Sequence, residues 1–152
     1  MPDRGDWSIL EPRELHWIQH LARVMPFYRH MGIMLVRLGR GRSELRLKIT
    51  RSLTQDFGVA HGGVAASLID SAVGLALCTL IKPEQMISTI EMNVNYLTPA
   101  HIGIMKATGR IIHKGKRIAV GESLVFEQNK IVAKGLVTYM ILEGKRRRSL
   151  NR

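Results

Sequence analysis

The apolar positions of this chain change period along its length, and those changes mark out its elements. Leu15, Ile18, Leu21, Ala22 and Met25 recur at steps of three and four, which predicts an amphipathic helix over 11–25 bounded by Pro12 and Pro26. Phe27-Tyr28-Arg29-His30-Met31-Gly32 then reads as a turn. Over 43–49, Leu45, Leu47 and Ile49 alternate with Glu44, Arg46 and Lys48, the period of a half-buried strand. A preceding strand over 33–38 reaches it through Gly39-Arg40-Gly41-Arg42. No helical pattern follows those two glycines, so they mark a hairpin turn rather than a phosphate loop.

The next apolar stretch, 64–81, is interrupted by Ser67, Asp70, Ser71 and Thr79. A carboxylate in mid-bilayer costs about 2.5–3.5 kcal/mol even on a lenient scale, so a buried helix is expected here and no membrane insertion. It opens on Gly62-Gly63, closes at Lys82-Pro83-Glu84 and spans about 62–80. Being apolar on nearly every side, it belongs in the middle of a structure. Ala65, Ala66, Ala72, Gly74 and Ala76 would let a sheet approach it closely.

Strand patterns fill the remainder, over 86–97, 104–113, 117–127 and 130–142. Lys114-Gly115-Lys116 and Gln128-Asn129 are connections of hairpin length, so the four strands are expected to form a meander. Helix, two strands, buried helix and four strands together indicate an α+β fold, with an antiparallel sheet wrapped around the central helix. One such sheet leaves a face and an edge to cover, and a homodimer is expected to cover them.

At 152 residues, 45% of them apolar, the chain has room for one domain with a substantial core. That domain is expected over 1–144, with its core over 26–142 and a basic, flexible tail over 145–152. The lone Cys78 gives no disulfide framework, and no Cys-based metal site is available. The N-terminus shows no apolar signal core, and a cytoplasmic location is expected. Net charge is +11, but five of the 23 basic residues lie in the last eight positions; without them the balance is 18 against 12, or +6. Aromatics are only 5%, thin for base stacking, and no nucleic-acid motif is present. An anionic nucleotide ligand would suit the moderately basic surface equally well.

Candidate chemistry concentrates in Gln55-Asp56-Phe57-Gly58-Val59-Ala60-His61-Gly62-Gly63 and in Asp70. Glycines opening a helix leave its first N–H groups uncovered, and those donors favour negative charge developing on a carbonyl oxygen. The same glycines could simply relieve crowding where loop meets helix. Asp70 sits two turns into an apolar helix, where an isolated carboxylate is expensive to bury. Its helical neighbours Ala66, Ser67, Val73 and Gly74 offer no cation. The plain reading is a solvent-facing residue or the partner of a neighbouring Lys or Arg; a buried or cleft-lining acid with no evident local partner is equally a functional-site candidate. Asp56 is a second carboxylate nearby, but its loop position suits a turn or cap.

His61-Gly62-Gly63, six residues, Asp70, and then Asn93-Val94-Asn95-Tyr96-Leu97-Thr98-Pro99-Ala100 resemble the PaaI-like hot-dog thioesterases over about 25–142. The resemblance implies a hot-dog fold, with the 11–25 helix as an N-terminal addition. It also implies hydrolysis of an acyl-coenzyme A (acyl-CoA), at sites shared across a homodimer that can pair further into a tetramer. On that resemblance the Gly62 amide polarises the thioester carbonyl. Asp70 of the other subunit activates water or attacks directly, and His61 supports the loop or the substrate. Gln55 stands where many relatives carry an Asn that helps hold the carbonyl. Thr89 matches a Ser that positions water in some relatives.

Lys114-Gly115-Lys116-Arg117 lies where the family's turn approaches the nucleotide, and its three cations and exposed glycine backbone suit phosphates. Met86, Met92, Leu68 and Leu75 could line an apolar acyl tunnel. No metal, flavin or nicotinamide cofactor is called for. Two other classes compete: a hot-dog dehydratase or hydratase, for which no matching His-containing dehydratase motif is visible, and a non-catalytic acyl-CoA-binding domain, against which Asp70 argues.

Overall fold

The computed structural model describes residues 7–144. Helix α1 (Pro12–Val24) starts with a capping box between Glu11 and Glu14 and carries proline in its first turn. Its apolar stripe buries Ile18 and Ala22. Pro26 does not simply stop this helix, as its position suggests. Met25 turns extended, and Pro26 opens a second short helix, α2 (Pro26–Met31), where a turn was expected. Proline fits because the first helical residue needs no N–H donor. Gly32, with φ of 73°, ends α2.

Strands β1 (Met34–Gly39) and β2 (Arg42–Ile49) form the expected hairpin. A single 3₁₀ turn (Arg51–Leu53) and a loop lead into α3 (Gly62–Cys78). Four strands follow: β3 (Met86–Tyr96), β4 (Gly103–Lys114), β5 (Ile118–Glu127) and β6 (Lys130–Leu142). All six make one antiparallel sheet in the order β1-β2-β4-β5-β6-β3.

That order corrects the four-strand meander, because only β4, β5 and β6 run in sequence. Helix α3, 17 residues and about 25 Å long, carries the chain across the sheet, so β3 lands on the far edge and pairs with β6. The chain then returns, and β4 pairs with β2. A helix buried on nearly all sides requires sheet on both flanks, and this crossover supplies it.

Helix α3 buries Val64, Leu68, Ile69, Val73, Leu75 and Leu77 against the concave side of the sheet. Burying each Leu or Ile is worth about 1.5–3 kcal/mol. The close approach depends on glycines in the strands as well as alanines in the helix. A Cβ at Gly109 would lie 2.4 Å from the Ala72 carbonyl, and one at Gly121 or Gly135 would lie 2.5 Å from the Val73 or Ile69 side chain. The helix ends at Cys78, before the expected 80. The Thr79 hydroxyl donates to the Ala76 carbonyl and accepts the Gly41 N–H, tying the helix end to the β1–β2 turn.

Three successive carbonyls in the middle of α3 each accept a side-chain hydroxyl. Tyr139 donates to Asp70 O at 2.6 Å, Tyr28 to Ser71 O at 3.5 Å and Ser43 to Ala72 O at 2.6 Å. Elements β6, α2 and β2 thus hold the Asp70 turn from three directions. No helix among the described residues is long and apolar enough to cross a membrane. The basic segment 145–152 lies outside the described residues.

Candidate active site

The loop before α3 is folded on itself by backbone bonds. Gln55 N–H donates to Val59 O at 2.9 Å, and Gly58, with φ of 74°, returns a bond to Gln55 O. Asp56 and Phe57 sit exposed at the tip of this turn. His61 is anchored from behind by its N–H on Leu53 O, and it serves as the N-cap of α3. Its Nδ1 accepts the Gly63 N–H at 3.0 Å, so the neutral ring carries its proton on Nε2.

This pairing changes the expected role of Gly63, whose donor is occupied. Among the described residues nothing accepts the Gly62 N–H, the first of the helix. Gln55, His61 and Gly62 line one cavity of about 400 Å³, together with Tyr96, Leu97 and Val132. The Tyr96 hydroxyl donates to Gly62 O at 3.2 Å, and its ring lies 3.3 Å from where a Gly62 Cβ would be. Only a small residue leaves both the ring and the N–H in place.

Asp70 is eight residues further along, about 12 Å down the helix axis. It is half-buried, and Thr89 Oγ1 donates to its Oδ1 at 2.8 Å. The Tyr139 hydroxyl reaches the same Oδ1 at 2.7 Å as well as the Asp70 carbonyl. Burial, with the Asp70 charge adding to it, pushes the Tyr139 hydroxyl far above the ordinary tyrosine range. Tyr139 is therefore a neutral donor at any working pH. Tyr28 is pushed up too, mainly by burial.

Asp70 and Thr89 lie on a second cavity, of about 570 Å³, whose walls include Met25, Phe27, Tyr28, Leu75, Cys78 and Met86. Of the four residues proposed for an apolar tunnel, Leu75 and Met86 line it, Leu68 is fully buried in the core, and Met92 packs half-buried against the core. The two cavities share no lining residue. Sequence reasoning missed Tyr139, Tyr96 and the contribution of α2. Tyr96 stood inside a quoted motif; nothing local to Tyr139 signals its contact with Asp70.

The basic turn joins β4 to β5. Register places Lys114 opposite Ala119, Ala119 opposite Tyr139, and Tyr139 opposite Thr89, so the turn lies at the Asp70 end of the sheet. Lys114, Lys116 and Arg117 are exposed. The Gly115 N–H, expected to face a phosphate, instead donates to Ile118 O at 2.8 Å, leaving the three cations. Among the described residues no three His, Cys, Asp or Glu side chains gather to hold a metal.

Known proteins share this fold. The thioesterase superfamily model matches residues 57–134. The chain is 30% identical over 100 residues to the 1,4-dihydroxy-2-naphthoyl-CoA hydrolase of Listeria monocytogenes, covering 66% of this chain and 81% of that protein. It is 29% identical to the medium/long-chain acyl-CoA thioesterase YigI of Escherichia coli, over 77% of this chain and 86% of that one. A thioesterase family protein from Silicibacter pomeroyi has the same fold, with a TM-score of 0.81 at 27% identity, over 86% of this chain and 99% of that one.

Proposed function

The chain belongs to the thioesterase superfamily, in its PaaI-like hot-dog branch, and from that membership we propose that it hydrolyses an acyl-CoA with Asp70 as the catalytic carboxylate. The observation that carries the reading is the Asp70 carboxyl itself. It is oriented by two hydroxyls on the wall of a largely apolar cavity, with no cation among its described partners.

The thioester carbonyl oxygen lies against the N–H of Gly62, which lines the other cavity and has no competing acceptor among the described residues. As water attacks the carbonyl carbon, Asp70 takes up one of its protons, and the carbonyl electrons move onto the oxygen held by Gly62. Collapse of the tetrahedral intermediate breaks the carbon–sulfur bond, and the leaving thiolate recovers the proton from Asp70. Direct attack by the carboxylate would instead break the carbon–sulfur bond, expelling the thiolate and leaving a mixed anhydride; water then opens it to the free acid and the Asp70 carboxylate, and the proton released goes to the thiolate. Both routes need the carboxylate beside the same carbonyl.

Gly62 and Asp70 of one protomer line separate cavities about 12 Å apart along α3, so one carbonyl does not reach both. A second copy supplies the missing half. Among the described residues strand β3 is a sheet edge with no partner beyond β6, and its Ile90 is 50% exposed. Pairing two copies along this edge covers it and sets Gly62 of one protomer beside Asp70 of the other. Gln55 and His61 then shape the carbonyl side, Thr89 the carboxylate side, and Lys114, Lys116 and Arg117 meet coenzyme A phosphates. No organic cofactor or metal enters this scheme.

Among the described residues Asp70 is the only charged wall of its cavity, which favours an uncharged, apolar acyl group. None of the described residues lining that cavity is a histidine, and that favours hydrolysis over dehydration. Release of free thiol from a panel of aliphatic and aryl acyl-CoAs tests the reading. Turnover of at least one apolar member is expected; no release from any of them would sink it.

A further inference from the structure

Beyond the residues already given a role, the cluster around Asp70 contains one buried group that the reaction does not use. The Tyr139 hydroxyl lies 2.6 Å from the Asp70 carbonyl oxygen and 2.7 Å from Oδ1. It has one proton for two acceptors on the same residue, so the shared bond ties the Asp70 side chain to its own backbone. Thr89 donates to the same Oδ1 at 2.8 Å. Both hydroxyls thus fall on one carboxylate oxygen, and among the described residues nothing donates to Oδ2.

We propose that Tyr139 is a positioning residue for the hydrolysis, fixing the Asp70 rotamer through Oδ1 so that Oδ2 is the oxygen that meets water or the thioester carbonyl. This rests on Asp70 being the catalytic carboxylate. Tyr139 also lines the Asp70 cavity, but its hydroxyl is spent on Asp70, and through that bond it acts on the reaction. The packing around it supports the assignment. A Cβ at Gly74 would lie 2.9 Å from the Tyr139 hydroxyl oxygen, so glycine at 74 keeps open the space in which the hydroxyl reaches Asp70. The pairing of Tyr139 with Thr89 across β6 and β3 brings both hydroxyls to one row of the sheet, against the same turn of α3.

Three variants test the proposal with a short-chain acyl-CoA: Tyr139→Phe, Gly74→Ala and the two combined. Tyr139→Phe keeps the ring and removes the clamp, so kcat should fall about 10–100-fold, since small misplacements of a reacting group cost that much. KM should stay within about threefold, because Phe keeps the ring on the cavity wall. Gly74→Ala raises helix propensity yet drives the hydroxyl off Asp70, so kcat should again fall while the melting temperature does not. The added methyl meets no hydroxyl once Tyr139 is Phe, so the combined variant should be no slower than Tyr139→Phe alone.

A purely structural Tyr139 would show the reverse, with a lowered melting temperature and kcat within about twofold of wild type. That result for Tyr139→Phe overturns the proposal, provided Asp70→Asn is inactive. If Tyr139→Phe fails to fold, unchanged kcat in Gly74→Ala overturns it instead. Normal turnover in Asp70→Asn would show that the assignment of Asp70 had failed, a separate outcome.

Discussion

The Gly63 amide donates to Nδ1 of His61, and that one bond decides which glycine of the pair can serve a substrate. With Gly63 occupied, the Gly62 N–H is the donor left at the helix start, and the helix dipole reinforces it. His61 is thus a cap whose ring also forms part of the cavity wall. His61→Ala should lower stability by about 1 kcal/mol, the usual cost of a lost N-cap. For a chain of this size that is roughly 2–4 °C in melting temperature. Turnover should fall with it as the Gly62 amide loses its fixed direction. His61→Asn, whose side-chain oxygen can also accept from Gly63, should recover both quantities. An unchanged melting temperature in His61→Ala would show that the cap contributes nothing.

Asp70→Asn is nearly isosteric and should fold and associate normally. The amide neither takes a proton from water at neutral pH nor forms an anhydride. Loss of a positioned general base lowers rates roughly 10²–10⁴-fold. Binding of a non-hydrolysable acyl-CoA analogue should persist, because Gly62 and the basic turn are untouched. Steady-state turnover and calorimetric binding on one preparation check both halves. Near-normal turnover would make Asp70 a structural residue.

Much of this was legible in the chain because two kinds of information are local. Alternation at Leu45, Leu47 and Ile49 marks β2, and the unbroken apolar run marks α3 as central. Asp70 stands out against that run by its chemistry. Strand pairing is not local in the same way: β3 and β4 are neighbours in sequence, but α3 has already moved β3 to the opposite edge. Pro26 carries the same letter whether it ends α1 or begins α2; only the extended Met25 distinguishes the two. Tyr139 reads as one more residue of an alternating strand, 69 positions from Asp70, and meets it only because the sheet wraps the helix. The Gly115 backbone, expected to be free, is satisfied within its own hairpin.

The basic turn makes a prediction that separates binding from chemistry. Replacing Lys114, Lys116 and Arg117 together by Gln should raise KM for acyl-CoA about tenfold or more while changing kcat little, the signature of lost uniform binding. A thioester of a short thiol without the nucleotide should be hydrolysed equally well by variant and wild type. High salt should narrow the difference between the two proteins on acyl-CoA, because exposed charges are screened. Equal losses on both substrates would show that the turn supports the fold rather than the nucleotide.

Whether one site is built from two chains can be decided by complementation. Gly62→Pro deletes the N–H that the carbonyl oxygen needs, at the first helical position, where proline fits best. His61 before it already has φ of −62° and ψ of 138°, a conformation compatible with a following proline. Its ring must share space with Tyr96, 3.3 Å from a Cβ at 62, so Gly62→Ala is the steric control: it adds the same carbon and keeps the donor. Gly62→Pro and Asp70→Asn should each be inactive alone, and Gly62→Ala should keep most of its activity. In a heterodimer of the two inactive chains, purified through different tags, the Gly62 of one chain meets the Asp70 of the other at one site, and both defects fall together at the second. Such a heterodimer should recover about half of wild-type turnover, one working site of two. If each site were made within a single chain, every site would carry one defect and the heterodimer would be as inactive as its parents. A protein that sediments only as a monomer at micromolar concentration, yet turns over normally, would exclude the shared site just as firmly.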